Sequence, residues 1–328
     1  GPLKGKTIKI ENALSDNPAF NISVLPGKEV ILSVVSDNGK APELNIADYH
    51  RAPILGVLGA VFLALFLFFG GKNGLKSLLG LAFAIAMIGM VLLPLSLKGF
   101  DPLISSVFIC FAAACATICS IGGFSRKSLA AFLGTIGGVI IAGVAAHYVI
   151  NMAPLTGLSS EEAQILRATM PAQAPTFFSG LLAASMLIGA LGVIMDVSIS
   201  IASAVHELSQ TDLSLTAKQL YEKGMNVGRD IMGSMTSTLV LAYAGGALPL
   251  LLLMSSMPSS KLVNLDLVAS EIASALTGSL GLVLTIPLTA LASSKLMGQK
   301  DLAASPAENP DTKNENNTEE LIPKTLNR

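Results

Sequence analysis

Residues 178–205 constrain the chain most, because they are almost entirely apolar and contain a single ionisable residue, Asp196. A helix needs about 20 mostly apolar residues to cross a bilayer. An aspartate near the centre of such a helix costs about 2.5–3.5 kcal/mol on insertion scales. The stretch therefore predicts a membrane-spanning helix in which Asp196 is shielded from lipid.

Small and polar residues surround Asp196 at intervals of three or four positions. They are Ser185, Gly189, Gly192, Ser200, Ser203 and Glu207. At about 100° per residue, these positions fall on one side of a helix. Small residues allow another helix to approach closely, so we expect Gly189 and Gly192 to contact one. Asp196 is then either a functional carboxyl group or the cap of a neighbouring helix.

The composition excludes several classes of protein. Hydrophobic residues make up 52% of the chain and charged residues 13%, which is typical of polytopic membrane proteins. The net charge of −1 does not favour nucleic-acid binding. The chain has no phosphate loop, HExxH or GxSxG motif, and its cysteines and histidines lack metal-ligand spacing. We therefore expect no enzyme activity, no metal and no cofactor.

About seven apolar segments follow residue 52. They span residues 53–70, 75–95, 102–122, 128–150, 178–205, 230–255 and 267–293. We predict an all-α polytopic membrane bundle of about seven transmembrane helices over residues 51–298. Residues 1–50 are predicted to form a small extracytoplasmic β unit. Residues 299–328 are rich in Asn, Pro, Glu, Lys and Thr, which predicts a disordered cytoplasmic tail.

Lysine and arginine are distributed unevenly among the loops between these segments. The odd-numbered loops carry Lys72, Lys76, Arg126, Lys127, Lys218, Lys223 and Arg229, whereas the even-numbered loops carry Lys98, Arg167 and Lys261. Positive residues favour the cytoplasmic side of a membrane. The asymmetry predicts that the N-terminal strands lie outside the cell and that the C-terminus lies in the cytoplasm.

Alternating residues predict two strands near the N-terminus, at Lys6–Glu11 and Glu29–Val34. Turn-forming residues separate these runs, so we expect a small antiparallel unit. The turns are predicted at residues 15–18, 26–28 and 36–39. The first residues, Gly-Pro-Leu, resemble a protease-cleavage scar, so we expect the natural protein to begin upstream, with a signal or anchor helix.

Two local motifs predict helix packing and a helix start. Gly134 and Gly138 have the GxxxG spacing that favours close contact between membrane helices. Ser159-Ser160-Glu161-Glu162 places a serine cap before early carboxylates, which predicts a short helix in the fourth loop.

Four stretches carry long motifs: residues 122–127, 155–163, 189–196 and 224–233. Together they resemble the bacterial YibE/F family of membrane proteins, over about residues 5–297. The resemblance implies a multi-pass protein of the bacterial inner membrane and implies no particular activity. Family members usually carry a longer outer domain and an upstream membrane anchor, so the resemblance also implies that both are incomplete in this sequence.

The last three predicted helices also resemble the second half of a membrane repeat in the RND exporters and the SecDF translocation motor. The matching elements are Gly192 to Asp196, the loop 206–229 and residues 229–238. In those proteins the intramembrane aspartate takes part in proton coupling. This chain departs from them, because no large domain separates its first two helices and no second repeat is evident.

Three predicted helices carry polar or small faces that could surround a hydrated path. The sixth offers Asn226, Asp230, Ser234, Ser237 and Thr238, and the seventh offers Glu271, Ser274, Gly278, Gly281 and Thr285. A low dielectric favours the neutral form of a carboxyl group, which would let Asp196 exchange protons near neutral pH. The alternative is a tightly packed bundle whose hydroxyls bond to helix carbonyls, with Glu271 reaching water at the outer end.

The predicted cytoplasmic loop, residues 207–229, runs from Glu207 to Arg229 and contains a helical stretch near residues 216–223. We expect Arg229 and Asp230 to begin the sixth helix at the cytoplasmic face. Asp230 could then accept from free backbone N–H groups and complement the helix dipole. Arg229 would reach lipid headgroups or a carboxylate.

Three functions compete. The first is a transporter or permease in which Asp196 relays protons, with Ser200 and Ser203 beside it on the path. The second is a permease subunit driven by a separate cytoplasmic motor, since the chain has no nucleotide site. The third is a non-transporting membrane scaffold or assembly factor whose outer strands bind another protein.

Overall fold

The computed structural model describes residues 5, 7–10, 12, 22–35, 43–170, 174–254 and 258–298. The chain divides into two compact units, Gly1–Leu75 and Lys76–Arg328. The second unit holds the helices that position the candidate site. The predicted tail, residues 299–328, lies outside the described residues.

Helices dominate the described residues. The elements in chain order are β1 (Val30–Val35), β2 (Glu43–Tyr49), α1 (Ala52–Met87), a π-helix (Ile88–Leu92), α2 (Leu93–Leu97), α3 (Pro102–Gly122), α4 (Arg126–Met152), α5 (Glu161–Thr169), α6 (Pro175–Thr211), α7 (Ala217–Gly246), α8 (Leu248–Met254), α9 (Ser259–Leu262) and α10 (Asp266–Met297).

The two strands form one antiparallel sheet, in which Val30 lies opposite Tyr49 and Val34 opposite Leu44. The predicted strand at Glu29–Val34 is therefore confirmed, and Gly27 forms the predicted turn before it with φ +80°. The prediction for Lys6–Glu11 is wrong, since residues 7–10 are irregular. The second strand of the sheet is instead β2. The predicted turns at residues 15–18 and 36–39 lie outside the described residues.

The first two apolar segments lie in the single stretch from α1 to α2. The break predicted between them is reduced to Gly71, whose φ of 52° and ψ of −136° interrupt α1. A residue with a β-carbon rarely adopts this conformation, so glycine is required at the interruption. Further along the same stretch, one π-helical turn precedes Pro94.

Five helical stretches in the described part of the chain are long and apolar enough to cross a membrane. They are Ala52–Leu97, α3, α4, α6 and α10. The helical membrane class and the small N-terminal sheet are thus confirmed, whereas the count of seven is not. The sixth predicted segment falls in α7 and α8. α7 is not among the five, because its first half is rich in polar residues.

The core of the second unit forms where α10 packs against α4, α6 and α7. Fully buried side chains include Ile194 and Ile201 of α6 and Leu282 and Ile286 of α10. The predicted GxxxG contact is confirmed, because a β-carbon at Gly134 or Gly138 would collide with Thr289 or Thr285 of α10. Close backbone approach therefore holds α4 against α10.

Side-chain caps begin several helices of the second unit. Asp101 caps α3, Ser125 caps α4 and Ser160 caps α5. The Ser160 cap and the first-turn carboxylates Glu161 and Glu162 confirm the predicted short helix. These caps satisfy backbone N–H groups that a helix N-terminus leaves without partners.

Candidate functional site

Asp196 lies near the middle of α6, within the apolar stretch that the sequence analysis identified. Its side chain is exposed on the surface of the second unit. Among the described residues, it takes part in no hydrogen bond and no ion pair. The described residues of the second unit therefore supply no polar partner for this carboxyl group.

The predicted small and polar positions of α6 share the exposed side of the helix. Ser185, Gly189, Gly192, Ser200 and Glu207 are exposed, and Ser203 is half-buried. The opposite side of α6, which includes Ile194 and Ile201, packs into the core. The three- and four-residue spacing therefore identified a real face of α6, which we call the α6 polar face.

The expected helix contact at this face is confirmed at one glycine and wrong at the other. A β-carbon at Gly189 would lie 2.6 Å from the hydroxyl oxygen of Tyr243 in α7. A β-carbon at Gly192 would meet no described atom within 4 Å. The α6 polar face is thus contacted by α7 at Gly189 and has no described neighbour at Gly192.

α7 begins much earlier than the sequence analysis predicts. Thr216 is its N-cap, and the side chain of Gln219 completes a capping box, so the helical stretch predicted near residues 216–223 is confirmed. The prediction that Arg229 and Asp230 begin this helix is wrong, because α7 starts at Ala217. Asp230 therefore cannot accept from free N–H groups at the start of the helix.

Contacts between α6 and α7 show which residues of α6 lie level with Asp230 along the helix axes. Gly228 of α7 packs against Ile201 of α6, and Tyr243 reaches Gly189. Counting along the two antiparallel helices from these contacts places Asp230 level with residues 199–202. The same count places Asp196 level with residues 233–236. At 1.5 Å per residue, the two carboxylates are separated by about 5–9 Å along the helix axes.

A second polar face, which we call the α7 polar face, lies level with the α6 polar face along the helix axes. Its exposed residues are Asn226, Arg229, Asp230, Gly233, Ser234, Ser237 and Thr238. Arg229 donates to the side chain of Asn226 at 3.1 Å. The hydroxyls of Ser234 and Thr238 donate to carbonyls of their own helix, as the alternative interpretation of the sequence expects. In the described part of the chain, Asp230 has no bonding partner.

α10 does not present its predicted polar side chains beside Asp196. Ser274 and Thr285 are buried and donate to the carbonyls of Ser270 and Gly281, both at 2.7 Å. Gly278 lies against Leu239 of α7 and Ala190 of α6, and Gly281 lies against Ala142 of α4. These side chains serve helix packing, so the two exposed polar faces belong to α6 and α7.

Glu271 lies apart from this group, near the N-terminal end of α10, and is half-buried. It lines a groove of about 210 Å³ together with Tyr243 and apolar residues of α7, α8 and α10. The hydroxyl oxygen of Tyr243 is buried without a hydrogen-bond partner in the described structure, as is that of Thr236. Neither residue was predicted from the sequence. Tyr243 could have been noticed, because it is the one large residue among the small residues 242–246.

The predicted cytoplasmic loop is a tight turn of residues 212–216 between two long helices. Glu207 belongs to the last turns of α6, and Arg229 lies well inside α7. In the turn, the hydroxyl and the backbone N–H of Ser214 donate to the carboxylate of Asp212. These bonds hold the pKa of Asp212 below its usual range.

Comparisons with known proteins bear on the family alone. The sequence model of a family described as YibE/F-like protein matches residues 58–299, which is more than half of the 328-residue chain. The matched region includes α6, α7 and α10 in full. Comparison with curated proteins gave no match, and comparison with solved structures gave none either.

Proposed function

The chain belongs to the YibE/F-like protein family, and we propose that it is a permease whose polar pathway follows the α6 and α7 polar faces. The observation that carries this proposal is the position of Asp196. Its carboxyl group lies exposed near the middle of an apolar helix and level with the polar residues of α7.

The cost of exposing these groups to lipid supports a hydrated or protein-lined pathway. A charged side chain at the centre of a membrane helix costs about 2.5–3.5 kcal/mol on insertion scales. Asp196 lies near the middle of its apolar stretch without a described partner, and Asp230 lies nearer the end of that stretch, also without one. Water or another polar surface along the two faces would remove most of that cost.

The chemistry of Asp196 suits a proton relay. No described cation neutralises it, and no described donor fixes its orientation, so both protonation states are open to it. Ser200 follows one helical turn later and has no described hydrogen-bond partner of its own. It offers a hydroxyl that can bind water beside the carboxyl group. We assign Asp196 the role of protonatable group and Ser200 and Ser203 the role of neighbouring polar lining.

A second candidate is a permease subunit that a separate cytoplasmic motor drives. The helical hairpin of α6 and α7 favours this candidate, since its end exposes Lys218, Glu222 and Lys223 around the turn. A rigid, charged hairpin end provides a docking site for a partner protein. This candidate does not require Asp196 to gain and lose a proton. A test of Asp196 titration therefore separates the two candidates.

Charge movement after a pH jump provides that test, because it needs no identified substrate. The purified chain, reconstituted in proteoliposomes on a solid-supported membrane, should give a transient current when the external pH changes. Asp196→Asn should abolish the current, and Asp196→Glu should restore part of it. Glu162→Gln, which removes an exposed carboxylate in α5, should leave the current unchanged.

Two results would contradict the proposal. The unchanged chain could give no current, or Asp196→Asn could give the same current as the unchanged chain. A native yield and melting temperature for Asp196→Asn would show that the lost current does not reflect a lost fold. No current in the unchanged chain would favour the motor-driven subunit.

A further inference from the structure

The α7 polar face is exposed, and two glycines show that this part of α7 and the helix beyond it have no close neighbour among the described residues. A β-carbon at Gly233 or at Gly245 would meet no described atom within 4 Å. The opposite side of α7 is closed, since Gly224 packs against Val205 and Ala290, and Gly228 packs against Ile286. One side of the helix is therefore packed within the second unit, and no described residue of that unit contacts the glycines of the other side.

Small residues on this open side follow the spacing of close helix contacts. Gly233 and Ser237 are four positions apart, and Ser234 and Thr238 repeat the same interval on the adjacent row. Small residues at four-residue intervals let two membrane helices approach closely. The face therefore has the shape of a helix–helix interface.

Charge provides a second and independent observation. Arg229 and Asp230 lie on this face, and neither forms an ion pair with a described residue. Asp230 is exposed and level with residues 199–202 of α6, near the C-terminal end of the apolar stretch 178–205. Arg229 is a cation one residue away. The face thus carries a cation and an anion, and neither is paired with a described residue of opposite charge.

We propose that a second copy of this chain covers the α7 polar face, with Arg229 of each copy paired to Asp230 of the other. This inference rests on the open face and its charges, and it does not depend on the proposed transport function. A second copy is the occupant that supplies both missing charges in one contact.

The geometry of a two-fold dimer permits both pairs at once. Two copies with the same orientation in the membrane are related by an axis along the membrane normal, which keeps every residue at its own height. Arg229 and Asp230 differ by about 1.5 Å in height and about 100° around the helix. They therefore flank the contact on opposite sides, with Gly233 and Ser237 between them.

Disulfide crosslinking of the full chain in native membranes tests the contact. Ser237→Cys should form a dimer under mild oxidation, because the two-fold axis brings the same position of both copies together. Leu276→Cys is the matched control, since it is exposed on α10. Leu276 lies within about 6 Å of the height of Ser237, because Gly278 packs on Leu239. The control should give no dimer, and neither should the unchanged chain with its native cysteines.

Charge reversal tests the pairing. Arg229→Asp gives a copy with two acids at the contact, and Asp230→Arg gives a copy with two bases. In the Ser237→Cys background, each variant expressed alone should crosslink several-fold less than its parent. Differently tagged copies of the two variants, expressed together, should crosslink with each other at the level of the parent. Recovery in the mixed pair also shows that both variants fold.

Five results would overturn the inference. Ser237→Cys could fail to dimerise, or Leu276→Cys could dimerise equally well. The mixed charge variants could fail to recover. Ser237→Cys could instead crosslink within one chain to a cysteine placed in α1, or give only adducts with a different protein, and either result would identify another occupant.

Discussion

Gly138 of α4 and Gly281 of α10 lie face to face in the core of the second unit. A β-carbon at Gly138 would be 3.1 Å from the carbonyl oxygen of Gly281, and a β-carbon at Gly281 would be 2.9 Å from the carbonyl oxygen of Gly138. Each β-carbon would collide with a backbone carbonyl of the other helix, so neither position can accept a larger side chain. This contact fixes the distance between the two helices that support α6.

Gly281→Leu should therefore destabilise the second unit. Overpacking a well-packed core costs about 1–3 kcal/mol and occasionally more, and at this site no flexible side chain can move aside. We expect a lower melting temperature in detergent and a lower yield in membranes. Gly192→Leu is the matched control, because its β-carbon meets no described atom. Equal stability of the two variants would contradict the packing described for α4 and α10.

The loop before α5 is attached to the start of α10 by one carboxylate. Asp266 accepts a hydrogen bond from the hydroxyl of Thr156 at 2.6 Å and another from the Thr156 backbone N–H at 3.3 Å. Asp266→Ala should lose about 1 kcal/mol of stability and increase hydrogen exchange at residues 155–158. Asp266→Asn keeps one acceptor oxygen and should show a smaller effect. Unchanged exchange in Asp266→Ala would show that the attachment is unimportant.

The turn between α6 and α7 should respond to pH through Asp212. Hydrogen bonds from Ser214 lower the pKa of Asp212, so their stabilising contribution is present above the usual aspartate pKa. It is lost as the pH falls through the lowered value. Ser214→Ala removes the hydroxyl donor and should raise the pKa of Asp212 toward its usual range, which carboxyl-carbon NMR would measure. Ser209→Ala, whose hydroxyl bonds to His206 instead, should leave it unchanged.

Much of the helical order could be predicted from the sequence, because apolar runs and caps are local signals. The predicted segment 102–122 coincides with α3, where Asp101 caps the start and Gly123, with φ 63°, follows the end. The helical stretch near residues 216–223 was predicted, but its continuity with the rest of α7 was missed, since residues 217–229 lack an apolar run. The capping box of Thr216 and Gln219 was the readable signal.

The sheet and the candidate site show where local signals end. Leu44 and Ile46 alternate with polar residues, so β2 could have been predicted, whereas residues 7–10 of an equally regular run are irregular. Spacing correctly placed Asp196, Gly192 and Ser200 on one face of α6. It could not show that the face stays open, because covering depends on helices distant in sequence.

The orientation in the membrane stays a prediction that labelling can check. Phe124 is 99% exposed in the turn between α3 and α4, so Phe124→Cys should label readily without disturbing the Ser125 cap. The positive-inside rule predicts labelling from the cytoplasmic side only. Glu162→Cys in α5 should label from outside. Labelling of Phe124→Cys in intact cells by an impermeant reagent would reverse the orientation.

The central claim is that Asp196 is a protonatable group in contact with water. Infrared difference spectra of the reconstituted chain, recorded across a pH titration in H₂O and in D₂O, test it most directly. We expect a carboxyl C=O band that changes with pH, shifts in D₂O and is absent from Asp196→Asn, while Glu162→Gln retains it. A titrating spectrum that is identical in the unchanged chain and in Asp196→Asn would contradict the claim, as would a band that D₂O fails to shift.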